Sequence, residues 1–378
     1  MKQTFCILIY LFATLNNAPA QTKHFSKADS LQAIMNRYTA AGIPGVSLAV
    51  YTEAEGWWAG AAGYAKTETK TPMSIRHLQY IQSVSKTYMA VVILKLYEEK
   101  RIQLDAPITR YLPRQYSRYI PEAEKVTVRM LLSHTSGVPE YQTHPRYISW
   151  ELLHPTSIFP MEKAITFLEG EPMQFAAGSR YLYTNTNFLL LAMIADAITG
   201  DHAKYMSEKI FRPLQLQQTY YHHEPGYLHY ANLPDCYWDA LDCGRPANIM
   251  ELQRTSVAAT KGDDGIVCTP TDAVHFLKAL MEGKLLHDTT LALMQHWVND
   301  SKGQHRYGLG LAYYSLEGLT GYGHGGGGIG AGCILLYVPS KKTYLFLGCN
   351  LGVLVAGKLP EKADALKNEV LATLLMGQ

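Results

Sequence analysis

An α+β fold is predicted for this chain: an antiparallel sheet flanked by the N- and C-terminal helices, with an all-helical domain inserted. Three observations predict it. Strand-like runs lie near both ends, at residues 46–51 and 57–64 and again at 307–314, 330–338 and 343–349. Each end also carries an amphipathic helix, at 26–41 and 362–376. Between about 105 and 290 the pattern is mainly helical with long loops. One sheet built from both ends accounts for all three. The expected division is 21–80 with 290–378 as a discontinuous α/β domain, and 81–289 as a mainly helical one.

Each element has its own signal. In the first helix Leu31, Ile34, Met35 and Tyr38 share a face, and Gly42-Ile43-Pro44-Gly45 ends it. A turn near Glu55-Gly56 separates the first two strands. Residues 126–132 form a short helix closed by Ser133-His134-Thr135-Ser136-Gly137. A buried helix at 188–198 stops at Gly200, and another at 271–281 follows Pro270. The loop from 220 to 245 is aromatic and irregular. Pro339-Ser340-Lys341-Lys342 turns the chain between the last two strands. In the last helix Ala365, Leu366, Val370, Leu371 and Leu374 line one side.

With 378 residues, 47% of them hydrophobic and 17% charged, the chain holds enough apolar mass for a substantial core and too little charge for disorder. A net charge of +2 gives no basis for nucleic acid as a partner. Residues 1–20 read as an export leader: Lys2, an apolar run over 5–15, and Ala18-Pro19-Ala20 before Gln21. That run is too short to span a bilayer. The expectation is a periplasmic or secreted protein with no integral membrane segment after cleavage. Beyond Cys6 the cysteines are Cys236, Cys243, Cys268, Cys333 and Cys349, an odd number that argues against a full disulfide framework. Whether Cys236 and Cys243 bridge is open.

The chain is organised around Ser83-Val84-Ser85-Lys86. From Val84 to Leu94 the only strongly polar residues are Ser85, Lys86 and Thr87, so the helix is buried on nearly every face. Ser83 stands at or just before its first turn. A capping serine would want Glu or Gln three residues on. Lys86 is there instead, where both the helix dipole and burial disfavour its charge. A structural helix has no use for that lysine, whereas a nucleophilic serine does. About a hundred residues later come Tyr183 and Asn185, two apart in a loop before the buried helix. The same pairing recurs at Tyr230 and Asn232, with no buried helix following. The third stretch is Gly323-His324-Gly325-Gly326-Gly327-Gly328. Its G-x-G-x-x-G pattern is no dinucleotide fingerprint, because it runs into a strand and opens no helix. A glycine run entering a strand lets a ligand lie against the strand edge.

In this order and spacing, Ser83-Val84-Ser85-Lys86, Tyr183-Thr184-Asn185 and His324-Gly325-Gly326 resemble the three motifs of the serine β-lactamase and penicillin-binding-protein superfamily. The branch resembled is that of class C β-lactamases, R61-type D-Ala-D-Ala carboxypeptidases and related esterases. The stretches 131–137 and 265–269 are also similar. The resemblance implies a site between an α/β and a helical domain, with no cofactor. It implies that Ser83 is acylated, that Lys86 and Tyr183 share acid and base work, and that Asn185 binds substrate. His324, Gly325 and Gly326 would line the strand edge. The backbone N–H groups of Ser83 and Gly327 would form the oxyanion hole. The substrate would be a peptidoglycan-like peptide, an ester or a β-lactam.

This chain departs from the pattern in three places. Where the β-lactamases carry Lys-Thr-Gly, it has His-Gly-Gly. A histidine with an ordinary pKa is mostly neutral at pH 7 and holds a substrate carboxylate poorly. Gln82 stands where glycine is usual, and Ala177 where proline is usual before Gly178. A carboxypeptidase or esterase is therefore the first expectation, with a true β-lactamase and a catalytically inactive peptidoglycan-ligand-binding protein as alternatives. His222, His223, Glu224 and His229 lack the helical spacing of a metal site, so no metal is expected. His134, just past a helix end, reads as structural.

Overall fold

Nine strands form one antiparallel sheet. Their spatial order is Thr71–Pro72, Gly56–Lys66, Gly45–Thr52, Thr343–Cys349, Gly332–Val338, Leu319–Gly327, Ala312–Leu316, His305–Tyr307 and Val298–Asn299. The two ends of the chain join where Gly45–Thr52 pairs with Thr343–Cys349, Leu48 opposite Leu347. This computed structural model describes residues 25–376, and the leader read at 1–20 lies outside them.

Period-two alternation sorts the strand side chains between two cores. Val46, Leu48, Val50, Leu345 and Leu347 face the terminal helices Ala28–Ala40 and Lys358–Leu375, which contribute Leu31, Met35, Leu366 and Val370. Ala49, Leu335, Tyr344 and Phe346 face the other way, into a larger core with the helices Ser85–Glu98, Asn185–Thr199 and Pro270–Met281. The architecture is the α+β one expected, an antiparallel sheet flanked by helices. The helix Ser85–Glu98 is buried at every residue from Ser85 to Leu94, as its apolar sequence requires. A small sheet fixes its entrance: Gln79–Tyr80 pairs with Val267–Cys268, which pairs with Thr219–Tyr220. That pairing brings residues 260–266 alongside Ser83. Among the described residues no helix is long and apolar enough to cross a membrane.

Three local readings need correction. The expected strand over 307–314 is two strands, broken at 308–311. There Gly310 takes a φ of 80°, its N–H donates to the Leu132 carbonyl (3.1 Å) and its carbonyl accepts from Thr87 (2.9 Å). A Cβ on Gly310 would lie 2.1 Å from that of Ala90. The glycine run does precede the strand Gly332–Val338, as expected, but it is no loop: it belongs to a strand of its own, Leu319–Gly327. It is glycine-rich because its neighbours come so close: a Cβ on Gly323 would meet the Leu335 carbonyl oxygen at 2.0 Å, and one on Gly326 the Ile81 oxygen at 2.5 Å. Asn185 is not in a loop. It opens the helix Asn185–Thr199, which starts three residues before the expected boundary.

Candidate active site

The nucleophile candidate sits in a single 3-10 turn, Gln82–Val84, that runs straight into the helix Ser85–Glu98. Gln82 has a left-handed φ of 49°. A side chain there costs on the order of 1 kcal/mol or more, and glycine would relieve it. The bend leaves Ser83 partly accessible while Lys86, one turn on, is 0% exposed. Lys86 Nζ donates to Ser83 Oγ at 3.0 Å and to the Asp263 carbonyl at 2.8 Å. Burial lowers its pKa from the ordinary lysine value, opposed by the charges of Asp263, Asp264 and Glu140.

Tyr183 lies across Lys86, with Nζ 5.1 Å from the ring centroid. Its hydroxyl is buried beside Ser83, and burial pushes its ionisation well above the ordinary range, so it stays a phenol. His134 packs behind it, ring centroids 4.3 Å apart. His134 Nδ1 accepts from the Thr184 N–H (3.3 Å) and the Asn187 amide (3.1 Å), which leaves the proton on Nε2. Burial, then the charge of Lys86, holds its pKa well below the ordinary histidine value, so that imidazole is neutral. Asn185 is held at both its ends: Glu140 accepts its backbone N–H at 2.5 Å, and Gln142 Oε1 accepts its side-chain amide at 2.7 Å. Glu140 thereby satisfies an unpaired donor at the helix start.

His324 is buried on the glycine strand. Its Nδ1 donates to the Gly325 carbonyl at 2.6 Å and its Nε2 accepts from the Tyr307 hydroxyl at 2.8 Å. Burial first, then repulsion by Lys86, drops its pKa to about 3. It is therefore neutral at physiological pH, more firmly than an ordinary histidine. Pairing with Ala312–Leu316 ends at Gly323, so that strand does not cover Gly325 to Gly327. Ser83, Asn185, His324, Gly325 and Gly327 all line one cavity of about 690 Å³. Tyr183 lines it too, and Lys86 reaches it through Ser83. The structure thus brings together the serine, lysine, tyrosine, asparagine and histidine read from the sequence. The second pair is elsewhere: Tyr230 stacks on Tyr220 at 4.2 Å and Asn232 bonds to the Arg76 carbonyl.

Asp263, Asp264, Glu140 and Gln142 were not singled out from the sequence. The first two stand in Gly262-Asp263-Asp264-Gly265, which reads as an exposed turn. In the structure Lys86 reaches over to the Asp263 carbonyl, Asp263 is buried and Asp264 is half-buried beside it. Asp264 has its pKa raised to about 6 by burial, against a lowering bond from the Gly265 N–H and the charge of Lys86. Between the ordinary value of 3.8 and about 6 the folded state holds this proton more tightly than the unfolded chain, so stability falls as pH rises through that window. The total is up to about 3 kcal/mol. Asp264→Asn should therefore match wild type near pH 4 and exceed it by up to about 3 kcal/mol at pH 7 in urea unfolding. A gap that does not widen with pH would refute this.

His222 donates to or accepts from no shared ligand set: its Nε2 meets the Thr260 carbonyl, and His223 pairs with Asp201. Among the described residues no cluster of three His, Cys, Asp or Glu could hold a metal. Cys236 is buried, Cys243 is exposed, and neither is bridged.

With this geometry established, comparison with known proteins defines the class. The family model described as Beta-lactamase matches residues 31–371, and the chain belongs to that family. Among solved structures it is similar to a D-amino acid amidase from Ochrobactrum anthropi SV3, at 26% identity over 91% of this chain and 97% of that one, TM-score 0.78. It shares the fold of a D-stereospecific amidohydrolase from Streptomyces sp., at 24% identity over 93% and 99%, TM-score 0.78. Among curated relatives it is 34% identical to the mitochondrial serine beta-lactamase-like protein LACTB of Bos taurus over 33% of this chain and 23% of that one. It is 25% identical to penicillin-binding protein 4* of Bacillus subtilis over 75% and 63%. The matches thus span less than two thirds of these relatives' own length. The fold and family are those of the β-lactamase and penicillin-binding-protein superfamily of hydrolases; the class C or R61-type branch is a finer assignment.

Proposed function

We propose that the protein is a serine hydrolase that works through an acyl-enzyme on Ser83, cleaving amides or esters of the D-Ala-D-Ala carboxypeptidase and esterase type. One observation carries this: a buried lysine with a lowered pKa donates at 3.0 Å to a partly accessible serine oxygen. A neutral Lys86 takes the Ser83 proton as Oγ bonds to the substrate carbonyl carbon. The resulting oxyanion is met by the Ser83 and Gly327 N–H groups. Tyr183, kept as a phenol by burial, donates its proton to the departing amine or alkoxide, and the C–N or C–O bond breaks. Lys86 re-protonates the tyrosine. Water then attacks the Ser83 ester carbonyl, losing its proton to the same pair; the C–Oγ bond breaks, the pair returns that proton to Ser83 Oγ, and the acid leaves. Asn185, anchored by Gln142, holds the acyl portion. The likeness to a D-amino acid amidase supports amides of D-amino acids as part of the substrate range. Export, read from residues 1–20, belongs to the same proposal, and N-terminal sequencing of the mature protein tests it.

Turnover of p-nitrophenyl acetate and of D-alanyl-p-nitroanilide by wild type, absent from the Ser83→Ala variant, tests the function. The neutral His324 explains why a β-lactamase is the weaker reading: the strand offers a substrate carboxylate no cation. His324→Lys should raise the rate of Ser83 acylation by benzylpenicillin about tenfold, the effect of one charge-assisted hydrogen bond. Stopped mass spectrometry of the adduct measures it, and an unchanged rate would count against the argument.

A further inference from the structure

Resting on the acyl-enzyme reading, we propose that the Asp263 and Asp264 carboxylates form an ammonium-binding subsite beside Ser83, so that the preferred acyl donors are amino-acid or peptide derivatives with a free α-amino group. Position comes first. The Asp263 backbone carbonyl shares Lys86 Nζ with Ser83 Oγ, at 2.8 and 3.0 Å, and both residues line the same cavity. That carboxylate belongs to the Asn185 wall of the cavity: Oδ2 accepts from Tyr141 (3.1 Å) and from the Gln142 amide (3.2 Å), and Gln142 in turn holds Asn185. In an α-amino acyl group the nitrogen is two bonds from the carbonyl carbon. With the carbonyl oxygen between Ser83 and the glycine strand, this wall is the one the α-substituents meet.

Unsatisfied bonding comes second. Asp263 is 1% exposed, yet its Oδ1 has no donor. A buried carboxylate oxygen without a partner is rare and costly, and a ligand N–H⁺ would complete it. Charge comes third. Asp263, Asp264 and Glu151 line the cavity with Glu140 behind them. Glu140 is occupied by the helix start, and Glu151 accepts from Tyr147 and Ser256. Among the described residues neither aspartate carboxylate has an ion-pair partner; Lys86, whose charge burial opposes, bonds the Asp263 backbone carbonyl instead. Arg306, also at the cavity, is paired with Asp300. Asp263 and Asp264 are therefore left short of positive charge in a place where burying them destabilises the fold. An ammonium ion supplies what is missing; a neutral or acylated nitrogen does not.

The test compares D-alanyl-p-nitroanilide with N-acetyl-D-alanyl-p-nitroanilide, and the corresponding pair of methyl esters, on wild type, Asp263→Asn and Asp264→Asn. Wild type should prefer the free amine by about 100-fold in kcat/KM, the scale of a lost hydrogen bond to a charged group. Each asparagine variant should cut that ratio at least tenfold, mainly through KM. Equal kcat/KM for the two members of each pair in wild type, or a ratio unchanged in both variants, would overturn the subsite while leaving the acyl-enzyme reading intact. If wild type turned over neither pair, the acyl-enzyme reading would fall and the subsite with it. Should Asp263→Asn not fold, the ratio in Asp264→Asn decides.

Discussion

Ser83→Ala should lower hydrolysis of any accepted ester or amide by about 10⁴-fold or more, with the folded structure kept. The magnitude follows from covalent catalysis: removing the nucleophile leaves only binding and the oxyanion donors. The fold should survive because Ser83 is at the cavity and Lys86 Nζ keeps its bond to the Asp263 carbonyl without it. Steady-state kinetics and thermal unfolding on the same preparations check both halves. A variant with a tenth of wild-type activity would remove Ser83 from the mechanism.

Lys86→Met should cost about 10³-fold in acylation, the upper range for a positioned general base. Methionine fills nearly the same buried volume, so the loss is not that of a cavity. The pH profile separates the roles. The lysine acts as base only when neutral, and burial lowers its pKa. Wild-type kcat/KM should therefore rise with pH and level off below the ordinary lysine range. In Lys86→Met that rise should vanish. Tyr183, whose pKa burial raises, stays protonated throughout and produces no such limb. A rise with pH that persists in Lys86→Met would transfer the base role to another group.

The serine and lysine were legible because their placement is odd for a structural helix: a cation in the first turn of an otherwise apolar run. The α+β architecture was legible because both ends alternate with period two and the middle does not. The strand Leu319–Gly327 was not, since a run so rich in glycine lacks the β-branched and aromatic residues that mark a strand. Its strand conformation is imposed by neighbours too close for any Cβ. The break at 308–311 was hidden because Leu309 and Leu311 continue the apolar run, while the cause, contact of Gly310 with Ala90, is tertiary. Asp263 and Asp264 were unreadable for the opposite reason: two adjacent aspartates before a glycine look like a solvated turn, and only the fold buries Asp263 and half-buries Asp264 beside Lys86. Gln82 was noted as a departure, but its left-handed backbone became visible only with the coordinates.

The most direct test of the central claim is intact mass after brief exposure to a fluorophosphonate probe, on wild type, Lys86→Met and Ser83→Ala. One adduct is expected on wild type, mapped by peptide digestion to Ser83, with slow formation in Lys86→Met and none in Ser83→Ala. No adduct on wild type, or an equal one on Ser83→Ala, would contradict that claim and leave a protein that binds its ligand without forming an acyl-enzyme.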